Sequence, residues 1–288
     1  MVKLDVAHKK FVKYLEDAGR SSATVIAYQK DIEQLIEHLF KKGVNLVTEI
    51  ETAHLEEFMK KLSDNDYTAK SISRKTNSTK TFFRFLSSQG YINVNVADQV
   101  RHPKIEARAP RILSRLEYGA LRDAARTDAR TYAIVEILLQ TGLRISELAQ
   151  IKMEDLTLSG HGSLVIPKRI GHETRVIPLN QAAVDAVEDY LTIRPAKADD
   201  YLFITKTGRP LLIRNIRATI DRFFKSAEIE NAKVNDLRHT FVAHHLAHGT
   251  NLLTVSRIAG HKRISTTERY LQYIDVVEKE EKAELGEL

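Results

Sequence analysis

Apolar residues return every three or four positions through almost the whole of this 288-residue chain, a period that confines it to a mainly helical fold. Phe11, Tyr14 and Leu15, then Val25, Tyr28, Ile32, Leu35 and Ile36, mark two helices within 7–39. Gly19-Arg20-Ser21-Ser22 breaks the run, and Ser21 or Ser22 suits the N-cap, where a hydroxyl satisfies an otherwise orphan amide. Helices are expected at 52–62 and 71–89, the second ended by Gly90. Later ones are expected at 115–125 and 130–140, from Ser146 onward, and at 181–191, 213–227, 235–247, 252–259 and 265–273, with a charged tail helix last. The strong β signal is a pair of β-branched runs, 163–167 and 175–179, around a Gly-containing turn, which reads as a hairpin.

That pattern is interrupted once for long. Residues 96–114 hold Pro103, Pro110, several charges and little apolar period, as a linker between separately folded units does. The length also suits two cores better than one. The expected organisation is a helical unit at 1–100, a linker at 101–113, a mainly helical α+β unit with a small antiparallel sheet at 114–273, and a tail at 274–288. The chain has no cysteine, which removes disulfides, thiolate nucleophiles and Cys-based zinc sites together. No apolar run reaches membrane-spanning length, and Lys3, Asp5, Lys9 and Lys10 interrupt the N-terminal segment. A cytoplasmic protein without membrane contact is expected. The net charge is +6, and the last fourteen residues carry six acids against two lysines. A basic body fits a polyanion-binding surface or an ordinary basic protein, and charge alone leaves both open.

Four short segments of the second half concentrate reactive residue types. Thr141-Gly142-Leu143-Arg144-Ile145-Ser146-Glu147-Leu148 sets Arg144 at a helix entrance, where amides and the dipole favour an anion, with Ser146 as a candidate cap. Taken alone it reads better as a surface arginine beside a capped helix. Lys168 follows an apolar strand at the edge of a turn, from which a lysine can deliver a proton or simply remain solvated. Asn235-Asp236-Leu237-Arg238-His239-Thr240-Phe241 puts Leu237 and Phe241 on one helix face and Arg238 and His239 elsewhere. Gly260-His261 ends one helix, and Tyr270 lies nine residues beyond the histidine. A lone tyrosine at helical spacing is ordinarily a core residue with a satisfied hydroxyl.

In their order and spacing these boxes resemble the tyrosine recombinase, or phage integrase, family, most closely its Xer-like branch. Thr-Gly-Leu-Arg-x-Ser-Glu-Leu stands at 141–148, Leu-Arg-His-Thr-Phe at 237–241, and Gly260-His261 with Ser265-Thr266-Thr267 before Tyr270 is similar to the third box. Ser71-Ile72-Ser73-Arg74-Lys75, Phe82-Phe83-Arg84-Phe85-Leu86 and Gly90 resemble the family's SAM-like core-binding module, so the resemblance spans nearly the whole chain. It implies a helical DNA clamp with Arg74, Lys75 and Lys80 as DNA contacts, joined to a catalytic domain. The two would encircle duplex DNA at a specific recombination site. Tyr270 is then the nucleophile that forms a 3′-phosphotyrosine, Arg144 and Arg238 grip the phosphate, His261 adds a hydrogen bond, and Lys168 protonates the leaving 5′-hydroxyl. Glu147 is a supporting acid. Because one phosphoester replaces another, no cofactor and no metal are required. His244, His245 and His248 can line up on a helix but lack an obvious carboxylate partner for a metal.

Some positions depart from the pattern. The family usually has histidine three residues before the second arginine, and this chain has Asn235, which cannot take a proton at neutral pH but can position the phosphate. His239 is expected to support the site, although a helix turns it about 100° away from Arg238, which makes it a poor substitute for the missing histidine. The turn after Lys168 is longer than usual and leaves Arg169 as a lesser substitute, and Tyr273 is the rival nucleophile. The tail, with Ile274, Val276, Val277, Ala283 and Leu285 as an apolar side, is expected to dock into a neighbouring protomer of a tetrameric synapse, or else to be solvated. The resemblance leaves the biological role open among chromosome dimer resolution, integration, excision and cointegrate resolution. Two competing activities are DNA relaxation of the type IB topoisomerase kind and DNA binding without catalysis.

Overall fold

The break at Gly19 separates α1 (Leu4–Asp17) from α2 (Ser22–Phe40), with Ser21 as the N-cap accepting a hydrogen bond from the Thr24 amide. The computed structural model describes residues 1–106, 109–168, 173–196 and 199–274, and the chain divides into two units, Met1–Ala107 and Arg108–Leu288. In the first unit α3 (Thr52–Asp64) and α4 (Ala69–Ser88) complete a helical bundle. Its core sets Phe11 edge-on to Phe82 and tilted against Phe85, with Leu4, Leu15, Ile32, Leu35 and Leu55 fully enclosed. α4 ends where expected, since Gly90 follows it with a φ of +67°. The segment 96–114 is not all linker: Val96–Gln99 forms a 3-10 turn, and Ala97 and Val100 are buried in the core of the first unit.

One cross-link in this bundle overturns a functional expectation. Asp31 on α2 is buried and accepts from Lys75 Nζ at 2.9 Å, from Ser78 Oγ at 3.0 Å and from Arg74, all on α4. Lys75 also donates to Gln34 and is only 3% exposed. It is therefore a buried structural cation and not an available DNA contact, because exposing it would leave the Asp31 carboxylate buried without its ammonium. Arg74 is about half exposed despite its bond to Asp31, and Lys80 donates to the Asp98 carbonyl.

The second unit begins with α5 (Arg115–Ala125), whose capping box pairs Ser114 and Glu117. α6 (Ala129–Thr141) is apolar on nearly every side and is buried among its neighbours, packing against α5, α8 (Gln181–Ile193) and α10 (Val234–Ala247). Between α6 and α8 lie the one-turn helix α7 (Ile145–Leu148) and the sheet. The expected hairpin is present as β2 (Ser163–Ile166) and β3 (Arg175–Pro178), antiparallel with Val165 opposite Val176. A two-residue strand, β1 (Leu156–Thr157), adds to its other edge, too short to leave a period in the sequence.

After α9 (Ile213–Ser226) and α10, the chain runs through α11 (Leu252–Ala259) and α12 (Ser265–Glu268) into a 3-10 turn at Arg269–Tyr273. This last turn packs on α10, and Tyr270 joins Phe241, Val242, Leu246, Val255 and Ala259 in a small second core. Among the described residues no helix is long and apolar enough to cross a membrane. Arg169 and the tail beyond Ile274 lie outside the described residues.

Candidate active site

Two helices that stop on left-handed glycines organise the site. Gly142 ends α6 at φ +61° and Gly260 ends α11 at φ +70°, a conformation that other residues adopt at a cost. Neither glycine has room for a side chain: a Cβ at 142 would lie 2.3 Å from the Phe241 ring, and one at 260 would lie 2.7 Å from the Arg175 guanidinium carbon. The helix ends thus come close to what they hold, and their last carbonyls, carrying the negative end of the helix dipole, face cations.

Those cations are three arginines. Three successive carbonyls at the end of α11 each accept from one of them: Ile258 O from Arg175 Nε at 2.9 Å, Ala259 O from Arg238 at 2.5 Å, and Gly260 O from Arg144 at 2.8 Å. Arg238 also donates to Gly142 O at 2.5 Å, which ties the ends of α6 and α11 together. Glu147 on α7 supplies the counter-charge. Its two carboxylate oxygens take a forked pair of bonds from Arg175, both at 3.0 Å, and it accepts from both the backbone amide and the side chain of Arg144. Arg144, and not Ser146, is therefore the N-cap position of α7, with the Glu147 carboxylate doing the capping from inside the turn.

Burial and charge set the ionisation states. Burial alone would raise the Glu147 carboxyl, but the Arg175 and Arg144 bonds hold it below its usual range. Arg238 is nearly enclosed, and burial beside Arg144 brings its guanidinium down to about 10, still charged at neutral pH. His261 is pushed down to about 4 by burial and then by Arg238 and Arg144, so its ring is neutral. The left-handed turn at Gly260 fixes that ring, because the His261 amide returns to Ser256 O and Nδ1 lies 2.7 Å from the Thr267 hydroxyl.

Tyr270 is 6% exposed, and burial raises its phenol. Its ring lies nearly parallel to that of His261, with centroids 6.3 Å apart. Its hydroxyl is 2.5 Å from His239 Nδ1, and the other ring nitrogen of His239 is 2.7 Å from the Asn235 side-chain amide. The helix rotates His239 away from Arg238, and the turn after α12 brings Tyr270 to the side it faces, a contact the helix spacing did not indicate.

The structure therefore gathers Arg144, Glu147, Arg238 and His261 around the helix ends, and His239 and Asn235 at the hydroxyl of Tyr270. Lys168 is elsewhere in its contacts: 70% exposed beyond β2, it pairs with Glu173 at 3.1 Å. The sequence reading missed Arg175. The signal was available, since strand alternation buries Arg175 and Ile177 on one face while Val176 points out, which puts a charge on the inward face of a hairpin.

The model of the phage integrase family matches residues 109–275, and that of the phage integrase N-terminal SAM-like domain matches residues 9–90. A tyrosine recombinase of Pseudothermotoga lettingae is 30% identical over 93% of both chains, and the tyrosine recombinase XerC of Staphylococcus carnosus is 32% identical over 87% of this chain and 86% of its own. Among solved structures, XerA recombinase is similar over 96% of both chains, with a TM-score of 0.55 at 26% identity. The XerH site-specific recombinase bound to palindromic difH substrate matches at a TM-score of 0.75 over 96% of this chain and 83% of its own, and at 20% identity that likeness speaks for the fold.

Proposed function

Because this chain belongs to the phage integrase family of tyrosine recombinases, and so to the enzymes that exchange DNA strands, we propose that Tyr270 is the residue with which it cuts duplex DNA at a specific site. The observation that carries this reading is the convergence of Arg144, Arg175 and Arg238 on three consecutive carbonyls of α11, beside a buried tyrosine and a neutral histidine. Three cations held by carbonyls and one carboxylate keep a net positive charge, and a phosphodiester is the ligand that completes it.

In this reading Arg144 and Arg238 bind the non-bridging oxygens with their remaining N–H groups, while Arg175 holds Glu147 and the end of α11 in place. A phosphate passing through five-coordinate geometry gains charge on those oxygens, so donors already fixed there stabilise the transition state without reorganising. With Nδ1 of His261 accepting from the Thr267 hydroxyl, Nε2 carries the hydrogen and donates a further bond to the phosphate. The Tyr270 oxygen attacks phosphorus, the 3′-phosphotyrosine forms, and the departing 5′-oxygen takes a proton from Lys168 once DNA draws that ammonium from Glu173. A second strand's 5′-hydroxyl reverses the step. Exchange of one phosphoester for another conserves the bond energy, which is why no nucleotide or metal enters. The tail at 274–288 serves a protomer contact within a tetrameric synapse, a role supported by its acidic residues and apolar side in the sequence.

A pool of duplexes with randomised arms, each nicked so that cleavage releases a short fragment, tests the assignment. Covalent adducts trapped on filters in SDS are expected with the wild type and with Tyr273→Phe, and none with Tyr270→Phe. Adducts formed by Tyr270→Phe would overturn it.

A further inference from the structure

A buried phenol is a poor nucleophile until something takes its proton. Burial raises that of Tyr270 above its ordinary value, and Asn235 stands where the family usually offers a histidine. The phenol oxygen nevertheless has an imidazole against it: His239 Nδ1 is within hydrogen-bond reach, where a base must stand to take the proton. The second nitrogen of that ring lies 2.7 Å from Asn235 Nδ2, one helical turn earlier on α10, and a 180° turn of that amide puts Oδ1 in the same place as an acceptor. Nucleophile, imidazole and an orienting polar group thus form a chain in the order used by activated nucleophiles generally.

We propose that His239 is the proton acceptor that activates Tyr270, and that Asn235 is the positioning residue that fixes its tautomer. The proposal rests on Tyr270 being the nucleophile. In the productive arrangement Asn235 Oδ1 accepts from Nε2–H, which leaves the Nδ1 lone pair facing the tyrosine hydroxyl. The O–H proton moves to Nδ1, the phenolate oxygen bonds to phosphorus, the bond to the 5′-oxygen breaks, and that oxygen takes its proton from Lys168. When a 5′-hydroxyl attacks the phosphotyrosine, its proton passes to the Lys168 amine, the bond from phosphorus to the tyrosine oxygen breaks, and His239 returns its proton to the departing phenolate. Protons and bonds balance with no further reactant.

The surroundings fit that task. Burial lowers the basicity of His239, Asp236 on the same helix opposes that, and Arg238 adds to it, while Tyr270 faces it from the turn after α12 and His261 from the end of α11. The ring is therefore neutral and able to accept a proton at pH 7. Asn235 is exposed, and among the described residues its one side-chain hydrogen bond is to His239, so the side chain can turn to present either oxygen or nitrogen to Nε2.

The test uses the full chain and duplexes recovered from the adduct selection, with either a normal or a thiol leaving group at the 5′ position of the scissile phosphate. A thiol leaves without an acid but gives no help to the nucleophile. His239→Gln keeps a polar side chain without a basic nitrogen. It is expected to slow adduct formation about 10²-fold on both substrates, with the deficit shrinking as pH rises and the phenol ionises unaided. Asn235→Asp is expected to move the acidic limb of the rate profile to higher pH, because a carboxylate makes the imidazole more basic, whereas Asn235→Ala slows the reaction without that displacement. Wild-type rates for His239→Gln, or a deficit that the thiol leaving group removes, would overturn the role of His239. An unmoved pH profile in Asn235→Asp would remove Asn235 from the relay. Tyr270→Phe separates the two levels: adducts that persist in it defeat the nucleophile itself, whereas their loss together with an unaffected His239→Gln defeats only the proton acceptor.

Discussion

The end of α11 and the turn after β2 both present cations proposed to meet one phosphate, yet they are built in opposite ways. At α11 each arginine is tied to a backbone carbonyl, and Glu147 is locked by four hydrogen bonds from Arg175 and Arg144. At the turn, Lys168 is exposed and among the described residues pairs with Glu173, itself 81% exposed, a pairing of small energetic worth in water. The difference separates two demands of the chemistry. Charge stabilisation requires donors that do not reorganise, so it is merged with the fold, whereas proton delivery requires a group that can follow a leaving oxygen. Changes at α11 should therefore damage stability and chemistry together, and changes at Lys168 chemistry alone.

The largest loss is expected at Arg238. Arg238→Ala removes a donor from the phosphate and also leaves Gly142 O and Ala259 O unsatisfied in a buried place. Adduct formation should fall at least ~10³-fold, about 4 kcal/mol of transition-state stabilisation, with a lowered urea midpoint. Arg238→Lys should not restore the rate, since an ammonium cannot span two carbonyls and a phosphate in one plane. A near-normal rate in Arg238→Lys would mean that charge alone, without the fork, does the work.

Glu147→Gln comes next and tests whether the carboxylate binds the cradle to the fold. Removing its charge strands the buried Arg175 guanidinium, so stability should drop by about 3 kcal/mol, measured by urea unfolding. The pH dependence gives an independent check. Glu147 has a folded-state pKa below its unfolded value, so its contribution is complete above the unfolded value near 4.5 and is lost as pH falls through the depressed one. His261, pushed down to about 4 from 6.5, acts in a higher window. The unfolded ring binds a proton that the folded ring refuses, so stability declines as pH falls from 6.5 toward 4. Glu147→Gln should flatten the lower part of the wild-type curve and His261→Asn the upper part. Superimposable curves would mean that neither group is strained by the cradle.

The same contrast explains what the sequence revealed. Helices, the hairpin and the glycine stops were legible because local spacing and turn chemistry dictate them. Arg144, Arg238, His261 and Tyr270 stand in segments whose residue types are unusual as a set. Arg175 and Lys75 were missed or misassigned for a shared reason: each is a charge on an apolar face, three residues after Ile72 for Lys75 and two before Ile177 for Arg175, and its buried partner is far away in the chain. Asp31 lies 44 residues from Lys75 and Glu147 lies 28 from Arg175. The bond from His239 to Tyr270 was hidden likewise, since helix geometry fixes where His239 points and not which distant segment arrives there.

The smallest structural effect is expected at Lys168, and it bears most directly on the comparison. Lys168→Ala removes an exposed side chain, so the free energy of urea unfolding should stay within ~0.5 kcal/mol of wild type. Adduct formation should nevertheless fall about 10²-fold on a normal phosphodiester, the usual worth of a positioned acid, and recover on a substrate whose leaving atom is sulfur. That pairing of an intact fold with a leaving-group-dependent loss is what a mobile proton donor outside a rigid cradle must give. If the thiol substrate fails to rescue Lys168→Ala, the lysine is helping to bind phosphate instead. If stability falls with the rate, Lys168 belongs to the cradle after all, and the division between a fixed charge grip and a free proton donor does not hold.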